Sequence, residues 1–152
     1  LAERDGRIEA PLGRSNRDRK QQAVGPNGRF AATNWTGLRQ LPPFASLVEC
    51  RLETGRTHQI RVHMAHIGHG VIGDPVYGRA LRSGQMPDNV ARTCLAAMRD
   101  FERQALHAAR LGFDHPVTGQ PLSFETGMPD DMIRLVTTIE DAIAARARGE
   151  GS

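Results

Sequence analysis

The chain has 152 residues, 5% of them aromatic and 24% charged, with a formal net charge of +3 and a mean hydropathy of −0.45. That length suits one domain with a moderate core, and the absence of a long apolar run excludes a membrane-spanning helix. Lys20 is the only lysine among 20 Lys and Arg residues. Arginine forks suit phosphates and carboxylates, so the charge points to nucleic acid about as strongly as to an ordinary solvated surface.

Residues 1–29 are turn-rich and carry Arg14, Arg17, Arg19, Lys20 and Arg29 among Gly and Asn, a pattern that predicts a loosely held segment. A strand is expected over Phe30–Leu38, with Trp35 as a packing residue. Leu41-Pro42-Pro43 breaks it before a second strand over Phe44–Thr54, in which Val48, Cys50 and Leu52 alternate with Glu49, Arg51 and Glu53. The two read as an antiparallel pair with one face buried. From Thr57 the period changes to that of a helix. Ile60, Met64 and Ile67 form its stripe, Thr57 is placed to cap its first turn and Gly68 to end it.

Asp74-Pro75 and Tyr77-Gly78 read as a tight turn that holds a loop near this helix, and Arg79–Thr93 as a surface connection. A strand over Ala105–Asp114, a turn over His115–Gln120 and the alternation around Leu122 and Phe124 predict a hairpin, with His107 as a satisfied structural side chain. Pro129 opens the last helix, Asp130 and Asp131 lie in its first turn, and Met132, Leu135, Val136, Ile139 and Ile143 make the stripe it lays on the sheet.

Chemistry concentrates at Thr54-Gly55-Arg56-Thr57-His58-Gln59-Ile60-Arg61, where a strand, a glycine turn, cationic side chains and a helix start run together. The first helical turn has free N–H groups, with Arg56 just ahead of it, and suits an anion. Arg61 lies on the flank of the apolar stripe and needs a carboxylate if buried. No acidic residue lies within one turn, so its partner must come from elsewhere in the fold. A carboxylate held there stays ionised at neutral pH.

Gly55 to His63 followed by Gly73-Asp74-Pro75-Val76-Tyr77-Gly78 resembles a motif of the RluA-type pseudouridine synthases, nearest the kind that acts on the large-subunit ribosomal RNA. Arg103-Gln104-Ala105-Leu106-His107-Ala108, His115-Pro116-Val117-Thr118-Gly119 and Pro129-Asp130-Asp131-Met132 match that family in the same order. The resemblance implies an α+β fold, a mixed, mainly antiparallel sheet with flanking helices. It implies isomerisation of uridine to pseudouridine in structured RNA, with ribosomal RNA favoured and transfer RNA the alternative, by a cytoplasmic monomer that needs neither cofactor nor metal.

By the same resemblance Arg61 matches the basic residue that pairs with the family's catalytic aspartate, while Arg56, Thr57, His58 and Gln59 match the substrate-binding rim. The family's His-Arg-Leu-Asp segment, which carries that aspartate, and its upstream tyrosine have no counterpart in these residues. The chain therefore resembles the C-terminal portion of a catalytic domain, inactive by itself. Its start at Leu1 rather than Met agrees with a piece of a longer protein.

Two other readings stand beside this one. A non-catalytic RNA-binding module would need only the basic surface. A zinc hydrolase would draw on His63, His66 and His69, but no HExxH occurs and three imidazoles with neither carboxylate nor thiol make a poor closed site. Cys50 and Cys94 are too far apart in sequence for a CxxC site and suit a reducing compartment, with Cys50 as a small hydrophobe on the inward strand face.

Overall fold

The computed structural model describes residues 4–78 and 89–149. Its centre is an antiparallel sheet in the order β1 (Asp5–Glu9), β4 (Ala32–Leu41), β5 (Ala45–Leu52), with β2 (Leu12–Arg14) and β3 (Gln22–Val24) paired as a separate hairpin. The region expected to be loose is thus ordered from Arg4 onward. Asp5 to Glu9 pair residue by residue with Thr36 to Ala32, so each backbone polar group of β1 that faces β4 finds a partner.

Sheet packing follows from β4. Ala32, Thr33, Trp35 and Leu41 are buried along it. Trp35 lies opposite Gly6, where a Cβ would stand 2.8 Å from the indole nitrogen; the glycine makes room for the ring. Ile8, Ala10, Trp35 and Met64 form one core cluster, joined by Val48 and Cys50, and burial pushes the Cys50 thiol up to about 11. The alternation expected along β5 is not observed, for Ala45 to Cys50 are all partly buried and Arg51 and Leu52 are both exposed.

Helix α1 (Gln59–His66) follows β5 and ends as anticipated at Gly68, whose φ is +82°. The amides of Gly68 and His69 turn back to the carbonyls of Ala65 and Met64, the paired bonds of a Schellman close.

The C-terminal part differs more from the sequence reading. Residues 79–88, the start of the expected connection, lie outside the described residues. From Asn89 the chain is helix α2 (Asn89–Arg99), which buries Val90, Ala91, Cys94 and Met98. Helix α3 (Asp130–Ala147) starts at Pro129 as expected and buries Met132, Leu135 and Ile139. Its stripe packs mainly on α2 rather than on the sheet, in a cluster of Leu41, Val90, Cys94, Met98, Leu135 and Ile139.

The hairpin β6 (Arg110–Asp114) and β7 (Pro121–Glu125) begins five residues later than predicted, since residues 105–109 are irregular. Leu111 faces Phe124 and Phe113 faces Leu122, and Leu111, Phe113 and Phe124 remain exposed.

Candidate functional site

The turn between β5 and α1 is tied down by one amide side chain. Gln59 Oε1 accepts from the Thr54 hydroxyl at 2.8 Å and from the Arg56 N–H at 3.0 Å. Its Nε2 donates to the Ala32 carbonyl at 2.9 Å and to Thr33 Oγ1 at 3.0 Å. The helix therefore starts without the Thr57 cap expected from sequence. His58 occupies the N-cap position in the left-handed region, φ 57°, with no side-chain cap bond, a conformation uncommon for a residue other than glycine.

A second polar chain crosses the same interior. His63 is fully buried. Its Nε2 lies 3.0 Å from the Ala10 carbonyl, which can only accept, so Nε2 carries the proton. Nδ1 then accepts from the Thr33 hydroxyl at 2.9 Å. Burial pushes the ring's pKa below the ordinary 6.5, against the opposing pull of the Ala10 carbonyl. Both nitrogens are thus spent on the fold, and His63 has none to give the metal site weighed from sequence. Among the described residues no group of three or more His, Cys, Asp or Glu is placed to hold a metal ion.

Arg61 finds its carboxylate at Asp74. Nε donates to Oδ2 at 2.7 Å and Nη2 to Oδ1 at 2.8 Å, a bidentate pair in which the arginine side chain is 13% exposed and the aspartate 0%. Asp74 Oδ1 also accepts the amides of Val76 at 2.9 Å and Tyr77 at 3.1 Å. Burial alone would raise the Asp74 carboxyl, but the Arg61 bonds and the two amides outweigh it and hold the group at about 2. The same pairing raises Arg61.

Tyr77 binds the parts together. The Arg61 guanidinium carbon lies 5.0 Å from its ring centroid, within reach of a cation–π contact. The phenol oxygen accepts from the Gln22 amide of β3 at 2.8 Å and lies 3.0 Å from His58 Nδ1.

Of the residues expected at the site, Arg56, Thr57 and His58 are exposed and adjacent, with Arg56 Nε donating to the Phe30 carbonyl at 3.2 Å. Gln59 lies beneath them, 3% exposed, with its amide committed to the turn. His107 does not match the satisfied side chain expected of it, because its Nε2 is buried without a hydrogen-bond partner. The sequence reading placed Asp74 near the site but did not join it to Arg61. The two are 13 residues apart and the intervening turn, not helical spacing, brings them together.

Residues 1–66 match the family described as RNA pseudouridylate synthase. Over 142 residues the chain is 45% identical to the ribosomal large subunit pseudouridine synthase D of Xanthomonas campestris, covering 93% of this chain and 42% of that protein. It is 48% identical over 129 residues to the protein of the same name from Zymomonas mobilis, covering 84% and 38%. The chain belongs to the pseudouridine synthase family.

The chain spans about two fifths of the length of the curated relatives it matches. Human RNA pseudouridylate synthase domain containing 1 shares its fold, with a TM-score of 0.63 at 21% identity over 92% of this chain and 61% of that one. The α+β architecture implied by the resemblance is therefore the one observed.

Proposed function

We propose that the protein to which these residues belong isomerises uridine to pseudouridine in structured RNA, with large-subunit ribosomal RNA as substrate and transfer RNA as the alternative. It would work in the cytoplasm as a monomer, and these 152 residues would supply the C-terminal part of its catalytic domain. Two relatives named for ribosomal large-subunit pseudouridine synthesis, at 45% and 48% identity, support the substrate class. The observation that carries the reading is a cation held at a fixed place, Arg61 on Asp74, just behind the exposed Arg56, Thr57 and His58.

Chemically, the uracil leaves C1′ as the N1–C1′ bond breaks, turns, and rejoins through C5. N1 gains a proton, and the hydrogen on C5 is lost to solvent. A carboxylate must meet the sugar or base at close range, so the uridine has to leave its stack. Arg61 would keep that carboxylate ionised and oriented. The rim of Arg56, Thr57 and His58 would meet phosphate or ribose, with contacts to the backbone setting position, while Gln59 braces the rim from below.

Asp74 is a poor candidate for the reacting carboxylate. Its side chain is 0% exposed and its oxygens accept four hydrogen bonds. This favours a second reading for the 152 residues taken alone, an RNA-binding piece without turnover. Release of tritium from RNA labelled at uridine C5 tests both: the full-length protein is expected to release it and residues 1–152 are not. No release by the full-length protein would refute the proposed activity.

A further inference from the structure

A guanidinium offers two straight edges, each with two N–H groups spaced for a carboxylate. Asp74 takes the side edge of Arg61, Nε and one Nη2 hydrogen. On the other edge, Nη1 has no hydrogen-bond partner among the described residues, and Asp74 leaves that edge untouched. The hold on the side edge is rigid. Val76 and Tyr77 amides fix the Asp74 carboxylate, and the Tyr77 ring lies against the guanidinium.

The turn carrying Asp74 is itself fixed. Gly73 has φ +71°, and a Cβ there would stand 2.0 Å from the Arg103 carbonyl; one on Gly78 would stand 2.3 Å from the Asp74 carbonyl. Backbone on both sides leaves no slack for the carboxylate to follow a moving arginine.

We propose that Asp74 is a positioning residue for the reaction: by clamping the side edge of Arg61 it aims the end edge, Nη1 with the second Nη2 hydrogen, at a second carboxylate, the nucleophile. Arg61 is then a bridge between two acids, one that holds it and one that it holds. This rests on the activity proposed above. Without Asp74 the flexible arginine stem keeps its charge near the site but loses its direction. The consequence belongs to turnover rather than to RNA affinity, since a displacement of about 1 Å in a reacting group is costly in rate.

The test is a double-mutant cycle in the full-length protein, reading kcat and KM for tritium release with Asp74→Asn and Arg61→Lys made singly and together. A lysine has no second edge to aim, so the two changes act on one device. Asp74→Asn is expected to lower kcat about 100-fold and leave KM for RNA nearly unchanged. In the Arg61→Lys background it should lower kcat little further, and Asp74→Glu, which keeps the charge, should recover part of the loss.

A kcat close to that of the wild type, a loss confined to KM, or losses that multiply in the double variant would overturn the proposal. If Asp74→Asn does not yield folded protein, Asp74→Glu goes through the same cycle, with its own loss expected to vanish in the Arg61→Lys background. A wild-type protein that releases no tritium would remove the proposed activity along with this inference, whereas additive losses in an active enzyme would remove only this inference.

Discussion

A fully buried imidazole with both nitrogens bonded makes the fold sensitive to pH. His63 has its folded-state pKa pushed below the ordinary 6.5 by burial, so the unfolded chain binds a proton more readily. Stability is therefore full above about pH 6.5 and declines as the pH falls below that value. Thermal unfolding between pH 8 and pH 5.5 is expected to show a falling midpoint, with a shallower fall in His63→Gln. An equal slope in both would place the titration elsewhere.

Asp74 has the opposite sense at lower pH. Its folded pKa lies at about 2, below the ordinary 3.8, so its contribution is present above 3.8 and is lost as the pH falls through 2. Deleting the carboxylate strands a largely buried guanidinium. Asp74→Ala should cost about 3–5 kcal/mol in urea unfolding, and a cost within experimental error would show that the pair does not hold this turn. These residues were unevenly legible. The cation at Arg61 and its need for a distant acid follow from burial logic, whereas His63 and Gln59 looked like a metal candidate and a rim donor. Nothing in their spacing showed that Thr33 and Ala10 would claim their polar atoms.

At the scale of elements, the segment from Ile72 to Gly78 joins the central motif to the C-terminal half through backbone. The Ala105 amide bonds the Ile72 carbonyl at 2.7 Å, and Gly73 sits against Arg103 with a positive φ. Gly73→Ala must shift both, and is expected to destabilise by more than about 1 kcal/mol, seen as a lower unfolding midpoint. A midpoint unchanged from wild type would mean that the contact is slack.

The hairpin β6–β7 presents Leu111, Phe113 and Phe124 to solvent, braced across its strands by the Phe113–Phe124 stack, 6.0 Å between centroids, and by the exposed Arg110–Glu125 ion pair. A two-stranded hairpin is marginal without packing. In hydrogen exchange of the 152 residues its amides should exchange far faster than those of β4, and equal protection would show that something covers it.

The β4–β5 pair, α1 and α3 were readable as elements, although α1 buries Gln59, Val62 and His63 beside Met64 rather than the stripe expected from Ile60, Met64 and Ile67. Helix α2 was not. Its apolar positions Val90, Ala91, Cys94 and Met98 alternate with Arg92, Thr93 and Arg99, and their nearness to Gly84 and Pro87 made the stretch look like a connection. The register of α3 on α2 instead of on the sheet is likewise a tertiary choice, since one apolar stripe fits either partner.

For the whole molecule, the described residues separate into a sheet-and-α1 part, which holds Arg61, and an α2–α3 part, linked through Leu41, Ala45 and the turn at Gly73. The family was legible because its motifs fall in order along the chain. The limits of the active unit were not, because a chain covering 42% of a relative's length carries the cation of the proposed pair without the segment expected to carry its nucleophile.

Tritium release from C5-labelled uridine in large-subunit ribosomal RNA, measured side by side for the full-length protein and for residues 1–152, tests this division most directly. Release by the former alone is the expected result. Release by the 152 residues themselves would contradict it, for it would place the reacting carboxylate within this chain.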